Sequence, residues 1–322
     1  MQHITLSRTG LRVSRVCLGS MTFGSQADAE VSARILDCAL DAGVNFIDTA
    51  NVYSKGASEA ILGAALKGRR DKVVLASKAG IATGEGPDDS GLSRAALRKA
   101  IDDSLRRLQT DYLDIYYLHQ PDNKVPIEET LETMEELIRA GKVRFPGTSN
   151  YSSWQVCETL WLAEKNGYTP AVVAQPMYNL LARGIEQEFL PMARRLGVAT
   201  VVYNPLAGGL LTGKHAGRTP APGSRFVDNR IYRDRYWHAA FFDAVDQLAE
   251  IARQTERTLI SLALNWLLDH TATDCLVLGA TGLEQFEQSL KALDEGPLPE
   301  EAVRACDRVW AQLRGVTPQY NR

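Results

Sequence analysis

Residues 112–148 read YLDIYYLHQPDNKVPIEETLETMEELIRAGKVRFPGT, and they contain a complete strand–helix–strand unit. The runs Tyr112–Leu118 and Lys142–Thr148 are short and mainly apolar on both sides of a period-two pattern. That pattern is typical of strands buried on both faces of a sheet. Between them, Ile127–Ala140 has the spacing of an amphipathic helix, and Gly141 follows it as a C-terminal cap. The stretch predicts parallel strands joined by a helix.

The same alternation extends along the chain in both directions from this unit. The further apolar runs predicted as strands are Arg15–Gly19, Val44–Asp48, Lys72–Ser77, Ala171–Gln175, Val198–Val202 and Cys275–Leu278. The helical patterns between them are Asp28–Ala42, Glu59–Leu66, Ser93–Leu108, Ser152–Asn166, Ile185–Leu196 and Ile260–Leu268. Strands separated by helices in this way indicate a parallel sheet with right-handed crossovers.

Two architectures share this alternation, an open doubly wound sheet and a closed (β/α)8 barrel. An open sheet that binds a nucleotide usually carries GxGxxG after its first strand, and GSMTFG at residues 19–24 lacks that spacing. The strand count and the length of 322 residues favour the barrel. No linker rich in Pro, Gly and Ser divides the chain. We therefore predict an α/β fold, a TIM barrel forming a single domain over residues 1–322.

Several segments lie outside the repeating pattern. Residues 1–14 predict a hairpin, Ile4–Leu6 followed by Leu11–Val13, which could cap the barrel floor. Residues 204–236 are predicted as a long loop at the C-terminal mouth, where barrel enzymes have their active sites. Two additional helices are predicted at Trp237–Ala252 and Glu300–Leu313.

Composition excludes several classes of protein. The formal net charge of −3 gives no excess of positive charge for binding nucleic acid or an anionic membrane. No apolar run approaches the roughly 18 residues of a membrane span, and the N-terminal residues do not resemble a signal peptide. The 5 cysteines are scattered without a CxxC pair, which argues against disulfides and zinc and fits a reducing cytoplasm. We expect a cytoplasmic protein with no metal, nucleic acid or membrane partner.

Polar residues at the strand ends suggest the chemistry. Asp48, Lys78 and His119 each end an apolar run, and Tyr53 follows Asp48 in the next loop. Because the C-terminal ends of parallel barrel strands meet at one mouth, these side chains are expected to lie together. Such a set is costly to desolvate unless its members pair.

This set of residues suits the reduction of a carbonyl group. A tyrosine has an unperturbed pKa of about 10, which a neighbouring ammonium lowers, and a carboxylate would keep that ammonium charged. The phenol could then protonate the carbonyl oxygen while an imidazole donates a hydrogen bond to it. No GxSxG, HExxH or P-loop motif is present. Because carbonyl reduction needs a hydride source, a nicotinamide cofactor is implied.

The motifs around these residues resemble those of the aldo-keto reductase superfamily. They are NFIDTA at 45–50 with Tyr53 and Gly56, LASK at 75–78, LDIY at 113–116 with LHQPD at 118–122, GKVR at 141–144 with GTSNY at 147–151, QPMYN at 175–179 and YNPL at 203–206. The resemblance runs from about residue 4 to residue 293. It implies a (β/α)8 barrel that binds NADPH and reduces an aldehyde or ketone to an alcohol.

The resemblance also implies a role for each site residue. Tyr53 would be the general acid, Lys78 would lower its pKa while paired with Asp48, and His119 would orient the carbonyl. The nicotinamide half of the cofactor would meet Gly19, Met21, Thr22, Asp48, Ser149, Asn150, Gln175 and Tyr203. The pyrophosphate and adenosine would meet Asn204, Pro205, Leu206, Gly208, Leu210, Lys214, Gly279, Thr281, Gln285, Gln288 and Ser289.

Some positions depart from the family pattern. Ser289 stands where asparagine is frequent, and Gly279 and Gln285 are uncharged where NADPH-preferring members often carry Lys or Arg. Pro146 lies inside a predicted strand, where it cannot donate to the ladder, and the sequence offers no functional account of it.

The long loop supplies charge that could replace the missing Lys or Arg. Lys214, with Arg218 or Arg225, could meet the 2′-phosphate of NADPH, since arginine suits phosphate oxygens. The alternative is an ordinary solvated loop. We predict NADPH as cofactor.

Several functional alternatives stay open. GSRF at 223–226 and YRDRYW at 232–237 partly resemble the aflatoxin-aldehyde and succinic-semialdehyde reductase branch, in which an arginine of this region can meet a substrate carboxylate. Potassium-channel β subunits share the barrel and act as regulatory partners, although the intact quartet favours an enzyme. A sugar or alcohol dehydrogenase working in the oxidative direction would use the same residues. The expected partner is a small-molecule carbonyl substrate, and a homo-oligomer is compatible with the sequence.

Overall fold

The computed structural model describes residues 1–316, apart from the side chain of Asp228; the last residues of the predicted domain, 317–322, lie outside the described part. A two-stranded antiparallel hairpin, β1 (His3–Thr5) and β2 (Arg12–Ser14), comes first. The eight barrel strands follow: β3 (Val16–Gly19), β4 (Phe46–Asp48), β5 (Val74–Ala79), β6 (Leu113–Leu118), β7 (Val143–Ser149), β8 (Val173–Gln175), β9 (Ala199–Val202) and β10 (Cys275–Leu278).

These strands form a closed parallel barrel in chain order, and β10 pairs with β3 to close it. Leu278 lies opposite Leu18 in that closing pair, and Gly19 lies opposite Asp48 in the next. The predicted (β/α)8 TIM barrel with its N-terminal hairpin is confirmed. The ends of each barrel strand lie within a few residues of the ends of the apolar run that predicted it.

Helices connect the strands and cover the outside of the barrel. They are α1 (Ala29–Asp41), α2 (Ala57–Ala65), α3 (Arg94–Leu108), α4 (Ile127–Arg139), α5 (Ser153–Asn166), α6 (Phe189–Leu196), α7 (Arg225–Asp228), α8 (Arg230–Tyr236), α9 (Ala239–Gln254), α10 (Leu259–Asp269), α11 (Leu283–Leu293) and α12 (Glu300–Arg314). Local signals explain several ends: the Ser93 side chain accepts from the amide of Ala96, and Gly167 and Gly197 end α5 and α6 in the left-handed conformation.

Apolar side chains pack in two regions. One lies between the outer face of the barrel and the helices. The other fills the barrel interior, where Leu6 and Val13 of the hairpin region are buried together with Cys17, Phe46 and Ile115. The hairpin therefore closes the barrel floor, as the sequence predicted, and the opposite mouth is left for the site.

The predicted loop at residues 204–236 is interrupted by short helical segments. It contains a 3-10 segment at Ala207–Thr212 and the short helices α7 and α8. The apolar spacing of each piece is too short to show a helical period in the sequence. The predicted additional helices are α9 and α12, which lie side by side, with Gln247 Nε2 donating to Gln312 Oε1 at 3.1 Å.

Pro146 lies in β7, opposite Tyr116 of β6. Its carbonyl accepts a hydrogen bond of 3.1 Å from the amide of Val172, so the strand stays in the barrel although it has one amide donor fewer. Nothing in the structure gives this proline a function.

Within residues 1–316, no helix combines the length and apolar character needed to cross a membrane. The thiols of Cys17, Cys38, Cys157, Cys275 and Cys306 are all free. Among the described side chains, no group of three or more His, Cys, Asp or Glu is placed to hold a metal ion.

Candidate active site

The structure brings the predicted quartet together at the C-terminal mouth of the barrel. Asp48 ends β4, Lys78 lies near the end of β5, His119 directly follows β6, and Tyr53 begins a 3-10 turn after β4. Lys78 is fully buried, and its ammonium donates to a carboxylate oxygen of Asp48. The same ammonium donates to the Thr49 carbonyl at 2.8 Å and lies 3.4 Å from the Tyr53 hydroxyl.

Asp48 is held from both sides. Its second carboxylate oxygen accepts a hydrogen bond of 2.8 Å from Gln175 Nε2, across the barrel on β8. Burial lowers the pKa of Lys78, but the contacts with Asp48 and Tyr53 raise it by more than burial lowers it. The pKa of Lys78 is therefore above its ordinary value. Lys78 therefore stays charged at neutral pH, next to the phenol of Tyr53.

The pKa of Tyr53 differs from the expectation. Burial raises it, and the opposing effect of the Lys78 charge is smaller, so the pKa lies above its ordinary value rather than below. Sequence reasoning foresaw the ammonium but not how strongly the surrounding protein desolvates the half-buried phenol. Tyr53 is consequently a neutral phenol at physiological pH, which is the form that can donate a proton.

His119 completes the group as an uncharged imidazole. Its ring lies edge-on to that of Tyr53, with 6.0 Å between ring centroids. Burial, and secondarily the charge of Lys78, lower the pKa of His119 to about 3. Its backbone carbonyl accepts a hydrogen bond of 2.9 Å from Asn150 Nδ2, which ties the end of β6 to the end of β7. A neutral imidazole can donate one hydrogen bond to a substrate oxygen.

A cleft of roughly 1800 Å³, part of it open to solvent, extends from this group across the mouth. Most of the predicted cofactor residues line it: Gly19, Met21, Asp48, Ser149, Asn150, Gln175, Tyr203, Asn204, Pro205, Leu206, Gly208, Lys214, Arg225, Gly279, Thr281 and Gln285. They come from the ends of β3, β4, β7, β8, β9 and β10 and from the segment after β9.

The remaining predicted cofactor residues do not line the cleft. Thr22 donates to the Ala280 carbonyl at 2.5 Å, Leu210 is buried in the core, and Ser289 donates to the Gln285 carbonyl at 2.9 Å. Gln288 is exposed on α11.

Arg218 is also directed away from the cleft. Its guanidinium lies 2.8 Å from a carboxylate oxygen of Asp243 and 3.1 Å from one of Asp246. These carboxylates, both on α9, attract the side chain to the outer surface. The prediction of Arg218 as a phosphate ligand is therefore not supported by its position, whereas Arg225 does line the cleft.

Sequence reasoning singled out YRDRYW at 232–237 only for an arginine that could meet a substrate carboxylate, and it did not foresee that α8 forms one wall of the cleft. Ile231, Tyr232 and Arg235 all line the cleft. Tyr232 accepts a hydrogen bond of 2.9 Å from Arg225 and lies 3.3 Å from Asn204 Oδ1, so it links the two. The i, i+4 spacing of Ile231 and Arg235 would have shown one helical face, had the segment been recognised as a helix.

The cleft suits a ligand that carries negative charge. Burial and the nearby Arg225 charge lower the pKa of Lys214. Among the described side chains, no carboxylate pairs with Lys214 or Arg225. The buried Asn204 Nδ2 has no hydrogen-bond partner within residues 1–316. Two cations that repel each other and a free amide donor fit the phosphates and ribose of a dinucleotide.

The sequence profile of the aldo/keto reductase family matches residues 15–311. The chain belongs to the aldo/keto reductase family. Aflatoxin B1 aldehyde reductase member 2 of Rattus norvegicus is 38% identical over 321 residues, covering 95% of this chain and 87% of the relative. A probable voltage-gated potassium channel subunit beta of Oryza sativa subsp. japonica is 38% identical over 311 residues, covering 92% and 93%.

A third relative, the uncharacterized oxidoreductase YrpG of Bacillus subtilis (strain 168), is 35% identical over 334 residues, which cover 99% of each chain. This aldo/keto reductase is accordingly an oxidoreductase acting on carbonyl groups, in a family that uses nicotinamide dinucleotides.

Proposed function

We propose that this aldo/keto reductase reduces an aldehyde or ketone to an alcohol with NADPH, and that Tyr53 is the general acid. The observation that carries this proposal is the neutral Tyr53 phenol lying 3.4 Å from the buried Lys78 ammonium. Bound NADPH would supply the hydride. It would be held along the cleft by Gln175, Tyr203 and the residues of the segment after β9.

Each member of the quartet has its own task in this proposal. Tyr53 donates its proton to the carbonyl oxygen as negative charge develops there. Lys78 stabilises the phenolate left behind, because its charge lies close by in a buried site where Coulombic attraction is strong. Asp48 keeps Lys78 in place, and the neutral His119 donates a hydrogen bond to the same oxygen.

NADPH is preferred over NADH in this proposal because of Lys214 and Arg225. Both line the cleft without a carboxylate partner among the described side chains. A charge-assisted contact to the 2′-phosphate contributes about 1.5–3 kcal/mol, roughly ten- to a hundredfold in affinity. Arg218 has no part in the proposal, since Asp243 and Asp246 already satisfy it.

Replacing the proposed acid tests the central assignment. Tyr53→Phe removes the phenolic proton donor and keeps the ring, so reduction should fall by at least about a hundredfold. NADPH binding, followed by quenching of protein fluorescence, should stay within about twofold, because the phenol is not assigned to the cofactor. A variant that kept a quarter of its turnover would overturn the assignment.

The similarity to a potassium channel subunit beta supports a second candidate function, that of a regulatory partner. The intact quartet at the cleft favours catalysis instead. The two are separated by incubating the protein with NADPH and 4-nitrobenzaldehyde. Multiple turnovers support the enzyme, whereas bound cofactor that is not consumed supports the regulatory partner. Running the alcohol with NADP⁺ in parallel gives the rate of the oxidative direction.

We further propose that the substrate is an aldehyde that carries a carboxylate, and that Arg235 binds this carboxylate. Arg235 lines the cleft on α8, and no described carboxylate pairs with it. We assign it to a carboxylate on the substrate, as in the semialdehyde branch that the sequence resembles. Arg235→Gln should raise the KM for succinic semialdehyde about tenfold and leave that for butyraldehyde nearly unchanged. Equal effects on both aldehydes would remove this assignment.

A further inference from the structure

The turn that carries Tyr53 has an unfavourable backbone conformation. The three residues after it, Ser54, Lys55 and Gly56, have φ angles of 50°, 55° and 90°. A left-handed conformation suits Gly56 but is disfavoured for Ser54 and Lys55. The turn is therefore not determined by local preference, and contacts from elsewhere must hold it.

Side-chain hydrogen bonds hold the turn against the ends of the neighbouring strands. Ser54 Oγ donates to the Phe23 carbonyl at 2.7 Å. Ser58, in the first turn of α2, donates to the Ser20 carbonyl at 2.8 Å and lies 3.0 Å from Thr49 Oγ1. These bonds attach the turn to the ends of β3 and β4, but none of them reaches β5, which carries Lys78.

Glu59 adds a side-chain connection to β5, beside the backbone hydrogen bond of 3.2 Å from the Asn51 amide to the Lys78 carbonyl. It is fully buried in α2, and one carboxylate oxygen accepts a hydrogen bond of 2.5 Å from Ser77 Oγ, the residue before Lys78. The other oxygen lies 2.7 Å from Nη2 of Arg107 on α3. Glu59 thus bridges the helix that follows the Tyr53 turn and the strand that carries Lys78.

Arg107 also packs against the turn itself. A Cβ atom built on Gly56 would lie 2.9 Å from Cδ of Arg107. The absence of a side chain at Gly56 lets the arginine stem lie directly over the left-handed backbone. The Glu59–Arg107 pair therefore contacts both the turn and the strand.

We propose that Glu59, charge-balanced by Arg107, is a positioning residue that sets the placement of the Tyr53 hydroxyl relative to the Lys78 ammonium. Removing a partner from a buried ion pair also costs stability, so stability alone does not test this role. The inference rests on the proposed function of Tyr53. The quantity that tests the inference is the rate of proton transfer, seen in kcat, because Glu59 is assigned no contact with substrate or cofactor.

The barrel contains a matched control at its other end. Asp114 is a buried carboxylate near the start of β6, paired with Arg70 at 2.8 Å and Arg144 at 2.7 Å. Like Glu59 it is a buried carboxylate paired with arginine, but it lies away from the cleft. Asp114→Asn therefore reports the cost of breaking such a pair without disturbing the Tyr53 turn.

The experiment compares Glu59→Gln, Asp114→Asn and Tyr53→Phe. Both ion-pair variants should lower the unfolding temperature. Glu59→Gln should also lower kcat about ten- to a hundredfold, the scale of a misplacement by about 1 Å, with the carbonyl KM and NADPH Kd within about twofold. Asp114→Asn should keep kcat. Combining Glu59→Gln with Tyr53→Phe should add little further loss, because both act on one proton transfer.

A kcat for Glu59→Gln within twofold of the wild type overturns the proposal, and so does an equal kcat loss in Asp114→Asn. If Glu59→Gln does not fold, Ser77→Ala breaks only the bond to β5 and should still lower kcat about threefold or more; an unchanged kcat there overturns the proposal equally. Full activity in Tyr53→Phe would instead refute the proposed function on which the inference rests.

Discussion

At the scale of single residues, the site depends on how each charge is compensated. Lys78 has Asp48, the Thr49 carbonyl and Tyr53 around its ammonium, so it remains charged although it is fully buried. Asp48 in turn has Gln175 on its second oxygen. Replacing Lys78 removes the positive charge itself, whereas replacing Asp48 removes only one of the groups that compensate it. The two replacements should therefore have different consequences.

Lys78→Met and Asp48→Asn should differ in severity. Lys78→Met removes the charge that stabilises the Tyr53 phenolate and should abolish most reduction. In Asp48→Asn the lysine still donates to the Thr49 carbonyl, so the loss in kcat should be about tenfold smaller. Steady-state kinetics at saturating cofactor measure both. Equal losses would show that the carboxylate is as necessary as the ammonium.

His119 should make the fold less stable in acid. Its pKa is about 3 in the folded protein and about 6.5 when unfolded, so below pH 6.5 the unfolded chain binds more protons and stability falls as pH falls. From pH 7.5 to pH 5 this amounts to about 2 kcal/mol. Urea unfolding should show that His119→Gln loses that much less than the wild type. Identical losses would mean that His119 titrates normally in the fold.

At the scale of elements, the segment between β9 and α9 supplies the cations that line the cleft, Lys214, Arg225 and Arg235. The 3-10 segment at Ala207–Thr212 turns through Gly208, whose φ is 69° and whose missing side chain leaves room for the Tyr232 ring. Tyr232 then fixes Arg225 beside the cleft by a hydrogen bond of 2.9 Å. Arg225 and Arg235 are therefore placed at the cleft by the short helices α7 and α8, and Lys214 by the turn that follows the 3-10 segment.

Lys214→Met and Arg225→Ala should each reduce the preference for NADPH. The wild type should bind NADPH at least about tenfold more tightly than NADH, and Arg225→Ala should remove most of that ratio. Arg218→Ala is the matched control and should leave the ratio unchanged, since its partners are Asp243 and Asp246. Fluorescence quenching gives the Kd values. Equal wild-type affinities, or an effect of Arg218→Ala alone, would refute this assignment.

The sequence predicted the strands and their polar ends well, because strands buried on both faces have a strong local signal. Asp48, Lys78 and His119 could be placed from that signal alone. Arg218 could not, since its direction depends on Asp243 and Asp246, which lie far along the chain. The desolvation of the Tyr53 phenol is likewise a property of the assembled mouth. The helices α7 and α8 were missed because each is too short to show a helical period in the sequence.

At the scale of the whole molecule, the two ends of the barrel have separate tasks. The hairpin closes the floor with Leu6 and Val13, and the quartet and cleft occupy the mouth. The buried pair of Asp114 with Arg70 and Arg144 lies toward the floor. Changes at the floor should therefore affect stability and leave catalysis nearly intact.

Leu6→Ala tests that separation. Leu6 is buried among barrel-interior side chains, so truncation should cost about 2–5 kcal/mol of unfolding free energy. Its kcat and KM should match the wild type at a temperature where both are folded. Ile4→Ala, at a half-buried position of the same hairpin, should cost less. A kcat loss in Leu6→Ala would show that floor and mouth are coupled.

The closure of the barrel by β3 and β10 has a consequence for synthesis. Leu18 and Leu278, which face each other there, are about 260 residues apart in the chain. A ribosome that adds about 5–20 residues each second needs roughly 13–50 s between them. During that time β3 is paired on one side only, and its free edge can bind another nascent chain. We therefore expect the hazard of this closure to be aggregation on the polysome rather than unfolding of the finished barrel.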